Sequence, residues 1–386
     1  MFINNYWIMK ATKTIGILLV LALIAWGLLS LGGGNKQVAS TEPIKIGVVV
    51  SQTGVGSYVG EQSLRGLNLA VDSINSAGGI NGRKIELIVE DSKAAPATAV
   101  TVLKKLTDID GVKIVIGDSW NSTTEAMVPV ANSSKTLLIS PVASLDSLSA
   151  DDYFFRTIPV TNDMIVPLAE FAVKAGIKKV AILRQNTPFG IEHATDFKKA
   201  FEQAGGIIVS EESFDLTTTD YRSQITKVKA SNPEAIFDLA ATGPSTGLLI
   251  KQAKDLGVDV KWFGSYGSEN GALVKEYGLV IEGLTYPYPY NGQSDDAAVK
   301  TFVAAYSQKY DQTPDFVVAN SYDALQVVAS AIKQVGADDV SKIKSALLGI
   351  RDFHGASGVL SLDQNGDVKK PIMIKQIIGG QFVEVE

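Results

Sequence analysis

Cysteine does not occur among the 386 residues, so neither a disulfide nor a thiolate metal site is available, and stability must come from packed cores. Histidine occurs only at His193 and His354. Two isolated imidazoles, without cysteine or an H-E-x-x-H pattern, do not make a usual zinc site. The chain has no P-loop and no G-x-S-x-G elbow. A serine nucleophile needs a histidine base, and neither histidine follows a strand of the first half. The glycine-rich stretch 53–60 (TGVGSYVG) lies between a strand and a helix, but Gly60 falls one residue late for G-x-G-x-x-G. Glu90 and Asp91 also come too late for the acidic partner of such a loop. An excess of positive charge is missing too: 35 Lys and Arg stand against 41 Asp and Glu, with no basic face for nucleic acid. Catalysis, a cofactor and a nucleic-acid partner are therefore not expected.

What is present begins with a leader. Lys10 and Lys13 precede an apolar run over 15–31, followed by Gly32, Gly33, Gly34 and a small-residue site at Val38-Ala39-Ser40. A basic start, an apolar middle and small residues at the end describe a secretory signal peptide. The run also approaches the length of the shortest transmembrane helices, so residues 1–40 are read as a signal peptide or a retained membrane anchor. Either way the rest is expected outside the cytoplasm. Residues 41–386 suffice for two ordinary domains and contain no second run of spanning length.

Two stretches repeat one grammar. In the first, apolar strands at 44–50 (IKIGVVV), 85–89, 112–116 and 137–140 alternate with helices at 61–77, 96–107 and a short one after Asn121. Leu64, Leu67, Val71 and Ile74 fall at helical spacing, and Gly78-Gly79 stand where a left-handed cap is wanted. In the second, strands at 179–183, 207–209, 235–239 and 260–263 alternate with helices at 164–175, 191–204, 221–230 and 246–256. Apolar strands alternating with helices predict parallel sheets covered on both faces, hence two α/β lobes in tandem. The tail departs from this pattern. It reads as helices at 297–310, 316–335 and 340–348, then a hairpin of strands 358–362 and 372–378 around the turn 363–366 (DQNG). Pro287-Tyr288-Pro289-Tyr290 reads as a crossover between the lobes.

In open α/β sheets ligands bind beyond the carboxyl ends of strands, where loops meet helix N-termini. Three such loops are rich in hydroxyls: 51–57, 117–124 (GDSWNSTT) and 140–144 (SPVAS). Free N–H groups at a helix start, beside short polar side chains, can cradle a carboxylate. Asn121, Ser122 and Thr123 suit that task and equally suit helix capping. Tyr58, Trp120, Phe189, Tyr266 and Tyr288 lie in loops or at element ends, where aromatics can wall a cleft or simply pack.

The segment IKIGVVVSQTGVGSYVGEQSLRGLNLAVDSINSAGGINGRKIELIVEDSK resembles the opening of type I periplasmic solute-binding proteins of the branched-chain amino acid class. VIGDSWNSTTEAMVPVANSSKTLLISPVAS, YFFRTIPVTND and SGVLSLDQNGD are similar to the same family. The resemblance implies a Venus-flytrap of two Rossmann-like lobes with crossovers near 156–159, 285–287 and 356–360. Lobe 1 would comprise 43–157 plus 287–357, and lobe 2 residues 158–286 plus 358–386. It also implies a binding protein that serves an ABC permease, is monomeric, and takes an amino acid or a related small carboxylate or amide. The absence of cysteine removes the lipobox that anchors many such proteins. By motif position, carboxylate contacts fall on Asn121 or Ser122 and on Ser144, and an ammonium-accepting carbonyl on Val142. Phe189 and Thr242 would contribute from the second lobe, and Tyr58 from the first. The family's acidic residue after the last second-lobe strand is replaced here by Tyr266, so Glu269 or Asp118 becomes the expected counter-charge. A membrane-anchored sensor domain of the same fold is the alternative reading.

Overall fold

The computed structural model describes residues 42–150, 152–240, 242–269, 271–337 and 339–385. The leader or anchor expected over 1–40 lies outside the described residues. Among those described, no helix is long and apolar enough to cross a membrane.

The chain opens with β1 (Ile44–Val50), α1 (Ser57–Ser76), β2 (Ile85–Asp91), α2 (Pro96–Asp108), β3 (Ile114–Gly117), α3 (Asn121–Ser134), β4 (Leu137–Ser140) and β5 (Phe154–Arg156). The five strands form one parallel sheet in the order β2-β1-β3-β4-β5. Strand alternation divides β1 between two cores. Ile46 and Val48 meet Leu67 and Ala70 of α1 on one face, whereas Val49 meets Leu103 and Met127 on the other.

Next come α4 (Thr161–Lys174), β6 (Lys179–Gln185), α5 (Pro188–Gln203), β7 (Ile207–Phe214), α6 (Arg222–Ala230), β8 (Ala235–Leu239), α7 (Gly243–Asp255), β9 (Lys261–Phe263), α8 (Gly271–Tyr277) and β10 (Thr285–Tyr288). The second sheet follows the order β15-β14-β10-β9-β8-β6-β7. Its strands β6 to β10 run parallel, and β14 (Met373–Ile378) and β15 (Gln381–Glu384) close one edge antiparallel. Here too the strands separate two cores, with Ile182 and Phe237 facing α4 and α5, and Ala181 and Ile236 facing α6 and α7.

Between these elements α9 (Ala297–Tyr310), α10 (Phe316–Val335), α11 (Val340–Leu348), β11 (Phe353–Gly355), β12 (Gly358–Leu362) and β13 (Val368–Lys369) return to the first lobe. Leu325, Val328, Leu347, Leu360, Leu362 and Val368 are buried together with Ile46 and Val48. The fold is thus two α/β lobes, joined by passages at 157–160, 289–296 and 370–372.

Two sequence-based boundaries need correction. Pro287 does not begin the first lobe, because β10 remains in the second sheet through the pairing of Tyr288 with Met373. Nor does 358 begin the last second-lobe segment. The turn at 363–366 folds the chain back onto Val368 and Lys369, which pair with Leu362 and Ser361. The strand expected at 372–378 pairs instead with β10 and β15. The turn 363–366 does make a hairpin, but a short one with Val368 and Lys369, which buries Leu360, Leu362 and Val368 in the first-lobe core.

Helix α10 ties the first and third passages together. The Asn320 carbonyl accepts from Thr157 Oγ1 at 2.8 Å, its amide donates to the Pro141 carbonyl at 3.1 Å, and its Oδ1 accepts from Lys370 Nζ at 2.6 Å. One turn on, buried Asp323 accepts from the N–H groups of Ala356 and Ser357 at 2.6 and 2.8 Å and from the Ser357 hydroxyl at 2.6 Å.

Candidate functional site

The loop after β3 delivers α3 to the carboxyl edge of the first sheet. Trp120 is the N-cap, extended in backbone and offering no acceptor of its own to the first turn. The opening N–H groups at Asn121, Ser122 and Thr123 are thus left at the positive end of the helix. Asn121 does not cap. Its Oδ1 accepts from the N–H of Ser144 at 2.9 Å and of Leu145 at 3.4 Å, binding the loop after β4 to the start of α3. The Trp120 indole covers Gly56, where a Cβ would come within 2.4 Å of Nε1. That Nε1 is a buried donor without an acceptor among the described residues.

Ser144 is fully buried and held on every side. Its carbonyl accepts from Thr161 N–H at 2.8 Å and Oγ1 at 3.1 Å, and its hydroxyl lies 3.2 Å from that of Thr161. The flanking carbonyls are fixed by the enclosed Arg156, whose Nη1 donates to Leu145 at 2.8 Å and Ala143 at 3.3 Å. Arg156 is in turn paired with Asp367 at 2.8 Å. Val142 is buried in the same loop, its N–H 3.4 Å from Ser140 Oγ.

The second lobe meets this loop with aromatic rings. The Tyr266 hydroxyl lies 3.2 Å from Ser144 Oγ, a bond between the lobes. Asp146 N–H makes another, to Glu192 Oε1 at 2.7 Å. Burial pushes the Tyr266 hydroxyl up to about 12, so it stays a neutral donor. Phe189 stands edge-on to Tyr266 at 6.0 Å and rests 4.0 Å from the His193 ring. Phe316, at the first turn of α10, packs edge-on to Tyr266 at 5.3 Å and to Tyr288 at 5.7 Å. Burial holds His193 far below the usual range, at about 3, so it is neutral. Its Nδ1 lies 2.9 Å from the Phe189 carbonyl and carries the proton, which leaves Nε2 a buried acceptor without a partner among the described residues.

Of the residues singled out in the sequence, Trp120, Asn121, Ser122, Val142, Ser144, Phe189 and Tyr266 converge here. Thr242 stands apart as the N-cap of α7, its hydroxyl donating to Ser245 Oγ at 2.9 Å. Tyr58 lies on the first turn of α1 with half its surface exposed. Glu269 is not the expected counter-charge. Its carboxylate is held by Lys375 at 2.8 and 3.0 Å and by the Tyr286 hydroxyl at 2.9 Å, on the second sheet. Asp118 is fully buried, accepts from the Ser119 N–H, and is pushed up to about 6 by burial. Sequence reasoning missed Arg156, His193 and Phe316. Phe316 was absorbed into an apolar helix run, and His193 offered no motif beyond its rarity.

The family model described as periplasmic binding protein matches residues 43–381. The leucine-, isoleucine-, valine-, threonine- and alanine-binding protein of Pseudomonas aeruginosa is 29% identical over 345 residues, spanning 88% of this chain and 91% of that protein. The branched-chain amino acid transporter substrate-binding protein LivJ of Streptococcus pneumoniae, solved with isoleucine, superposes with a TM-score of 0.81 at 28% identity, covering 89% of this chain and all of that one. An ABC-transporter solute-binding protein of Rhodopseudomonas palustris, solved with 3,4-dihydroxybenzoic acid, gives a TM-score of 0.81 at 26% identity, covering 90% and 97%.

Proposed function

Because the chain belongs to the periplasmic binding protein family, we propose that it is the extracytoplasmic substrate-binding protein of an ABC transporter. Its cargo is a branched-chain-type amino acid or a related small carboxylate, taken in the cleft between the lobes. The observation that carries this reading is the Ser144–Tyr266 contact beside the uncapped start of α3, where polar groups of one lobe face aromatic rings of the other. Isoleucine and dihydroxybenzoic acid, bound by two similar proteins, share a carboxylate and an apolar body, which suits that division.

In this mechanism the first lobe takes the carboxylate with the N–H groups of Asn121 and Ser122 and the hydroxyl of Ser144. The Val142 carbonyl accepts from a donor on the solute. Trp120 and Tyr58 border the entrance on the first-lobe side, and Phe189 and Tyr266 swing in from the second lobe. The solute favours closure only by its greater affinity for the closed form. The permease then receives a closed, exported monomer.

A thermal-shift screen of residues 41–386, refolded to strip bound solute, tests the proposal. A ligand at 100 times its Kd stabilises by about 2.7 kcal/mol, a shift of several degrees. Carboxylates should give that shift and sugars should not, and a panel without a carboxylate hit refutes the reading. Ser144→Ala should weaken the carboxylate hit by about 1–3 kcal/mol, read by calorimetry.

A further inference from the structure

Where the lobes touch, like charges meet. Asp146 opens a single helical turn (Asp146–Leu148) just after Ser144, on the first lobe. Glu192 and Asp196 lie one turn apart on α5 of the second lobe, so their side chains share a face. The Asp146 N–H donates to Glu192 Oε1 across the junction at 2.7 Å, which brings the two elements together. Oxygens of the three carboxylates lie within 4.8 Å of one another. One oxygen of Asp196 is enclosed there without a hydrogen-bond partner among the described residues.

The surrounding groups offset these charges only in part. Arg156 draws on Asp146, but it is paired with Asp367 and donates to the Leu145 and Ala143 carbonyls. From α4, the Asn162 N–H donates to Asp146 Oδ1 at 3.1 Å, and the Thr161 hydroxyl favours ionised Glu192. Asp163 on the same helix adds a negative charge beside Asp146, although Lys369 pairs with it at 2.7 Å. On α5 itself, Lys199 draws on Asp196. Burial raises all three carboxyls, and the Asp146 charge adds to the rise at Glu192 and Asp196, the latter pushed up to about 6. Parting the lobes returns the three groups to water and separates Asp146 from the other two, and hydrated carboxyls titrate near about 4. Protons are therefore held more tightly with the lobes together than apart.

We infer that closure of the lobes is linked to proton uptake where Asp146 meets Glu192 and Asp196, so that acidification favours the closed form and strengthens solute binding. The linkage comes from like charges converging across the junction and is independent of the cargo's chemistry. It rests on the proposed function only in taking solute binding to bring the lobes together.

The test compares wild type, Asp146→Asn and Asp196→Asn as refolded residues 41–386, in buffers containing a chelator so that protons alone relieve the repulsion. Asparagine at 146 keeps an acceptor for the Asn162 N–H, and unchanged unfolding profiles verify both folds. The first measurement is calorimetric titration with L-isoleucine, whose own groups do not titrate between pH 5 and 7.5. A carboxyl at about 6 in the closed form and near 4 in the open form gives wild type about a tenfold gain in affinity from pH 7.5 to 5. Binding at pH 6 should take up protons, seen as a heat that changes with the buffer's ionisation enthalpy. Asp196→Asn should bind at pH 7.5 about as tightly as wild type does at pH 5, and Asp146→Asn should move the same way. The second measurement needs no solute. Because the chain has no cysteine, Thr101→Cys on α2 and Gln203→Cys at the end of α5, both exposed, take dyes uniquely, and single-molecule energy transfer counts closed molecules even when they are few. Their fraction should rise about tenfold over the same interval in wild type and stay level in Asp196→Asn. An affinity and a closed fraction that ignore pH overturn the inference, as does a pH dependence that survives both substitutions or a weaker Asp196→Asn at pH 7.5. If L-isoleucine and every other carboxylate fail to bind, the proposed function falls and the energy-transfer result decides this inference by itself.

Discussion

Replacing Arg156 by methionine tests how the loop that carries Ser144 is held. Methionine keeps the length and apolar stem of the side chain but removes its charge and all its donors. In the native protein the guanidinium pairs with Asp367 at 2.8 Å, donates to the Leu145 and Ala143 carbonyls, and reaches the Ser149 hydroxyl at 3.2 Å. Arg156 is wholly enclosed and Asp367 is 3% exposed, so Arg156→Met strands a buried carboxylate and deprives two carbonyls. Breaking one side of such a pair costs about 3–5 kcal/mol. In a domain of this size that lowers Tm by roughly 6–10 °C. Calorimetry on refolded residues 41–386 measures it. Arg156→Met combined with Asp367→Asn removes the stranded charge, and should recover all but about 1–2 kcal/mol. Burial already raises the Asp367 carboxyl, and Arg156 pulls against that rise. Without Arg156 the folded carboxyl binds its proton still more tightly than the unfolded one. The deficit should therefore be full near pH 7 and shrink towards pH 5. A single variant costing under about 1 kcal/mol, or a double variant as unstable as both singles together, would refute this account of the loop.

Gly66→Ala should destabilise by about 1–3 kcal/mol in denaturant titration, because a Cβ there would come within 2.3 Å of the Val318 carbonyl where α1 crosses α10. Trp120 and Trp262 are the tryptophans of residues 41–386, and Trp262 is buried in the second lobe. Ligand-induced change in tryptophan fluorescence should therefore come from Trp120, and Trp120→Phe should abolish it while saturation by calorimetry persists. Stability should fall as pH rises from 5 to 6.5. Burial pushes Asp118, Asp238 and Asp315 up to about 6, about 7 and about 6, so the folded state binds protons there that the unfolded state has lost. Asp196, also pushed up to about 6, adds to this. Buried neutral His193 and, near the upper end, Lys370, which burial holds down to about 7, act in the opposite sense but are fewer. A Tm that climbs across that interval contradicts the assignment.

Much of the fold was legible because parallel strands buried on both faces are written as apolar runs. The run 44–50 coincides with β1, and 235–239 with β8. Helix starts were read late at several of the helices that glycine or proline opens, though Pro96 was placed correctly. The helix predicted from 61 begins at Ser57, because Gly60 sits in its first turn, where a Cβ would come within 2.1 Å of the Ser51 carbonyl. Helix α5 begins at Pro188 under a Thr187 cap. The strand Phe154–Arg156 was hidden in a three-residue stretch, and the partner of 358–362 was misjudged because periodicity does not say which sheet a strand joins. Loops beyond strand ends located Asn121, Ser122 and Ser144. The chemistry around them was less accessible. That Glu269 would be neutralised by Lys375, about a hundred residues later, depends on β10 pairing with β14, which no local pattern contains.

Helix α10 carries both an aromatic residue at the proposed solute site and groups that hold the connections between the lobes. Phe316 faces Tyr266 at its first turn, while within the next two turns Asn320 holds the first and third passages and Asp323 the turn between β11 and β12. For a lineage drifting towards a new cargo, these positions carry unequal freedom. Residue 316 can be exchanged as the solute changes, because its ring contacts, Tyr266 and Tyr288, can be exchanged along with it. Residues 320 and 323 are bound to backbone groups that every variant must keep, so exploration of new cargo is channelled to the tip of the helix and to the loops facing it. On this reading, a change of cargo need not disturb the contacts of Asn320 and Asp323.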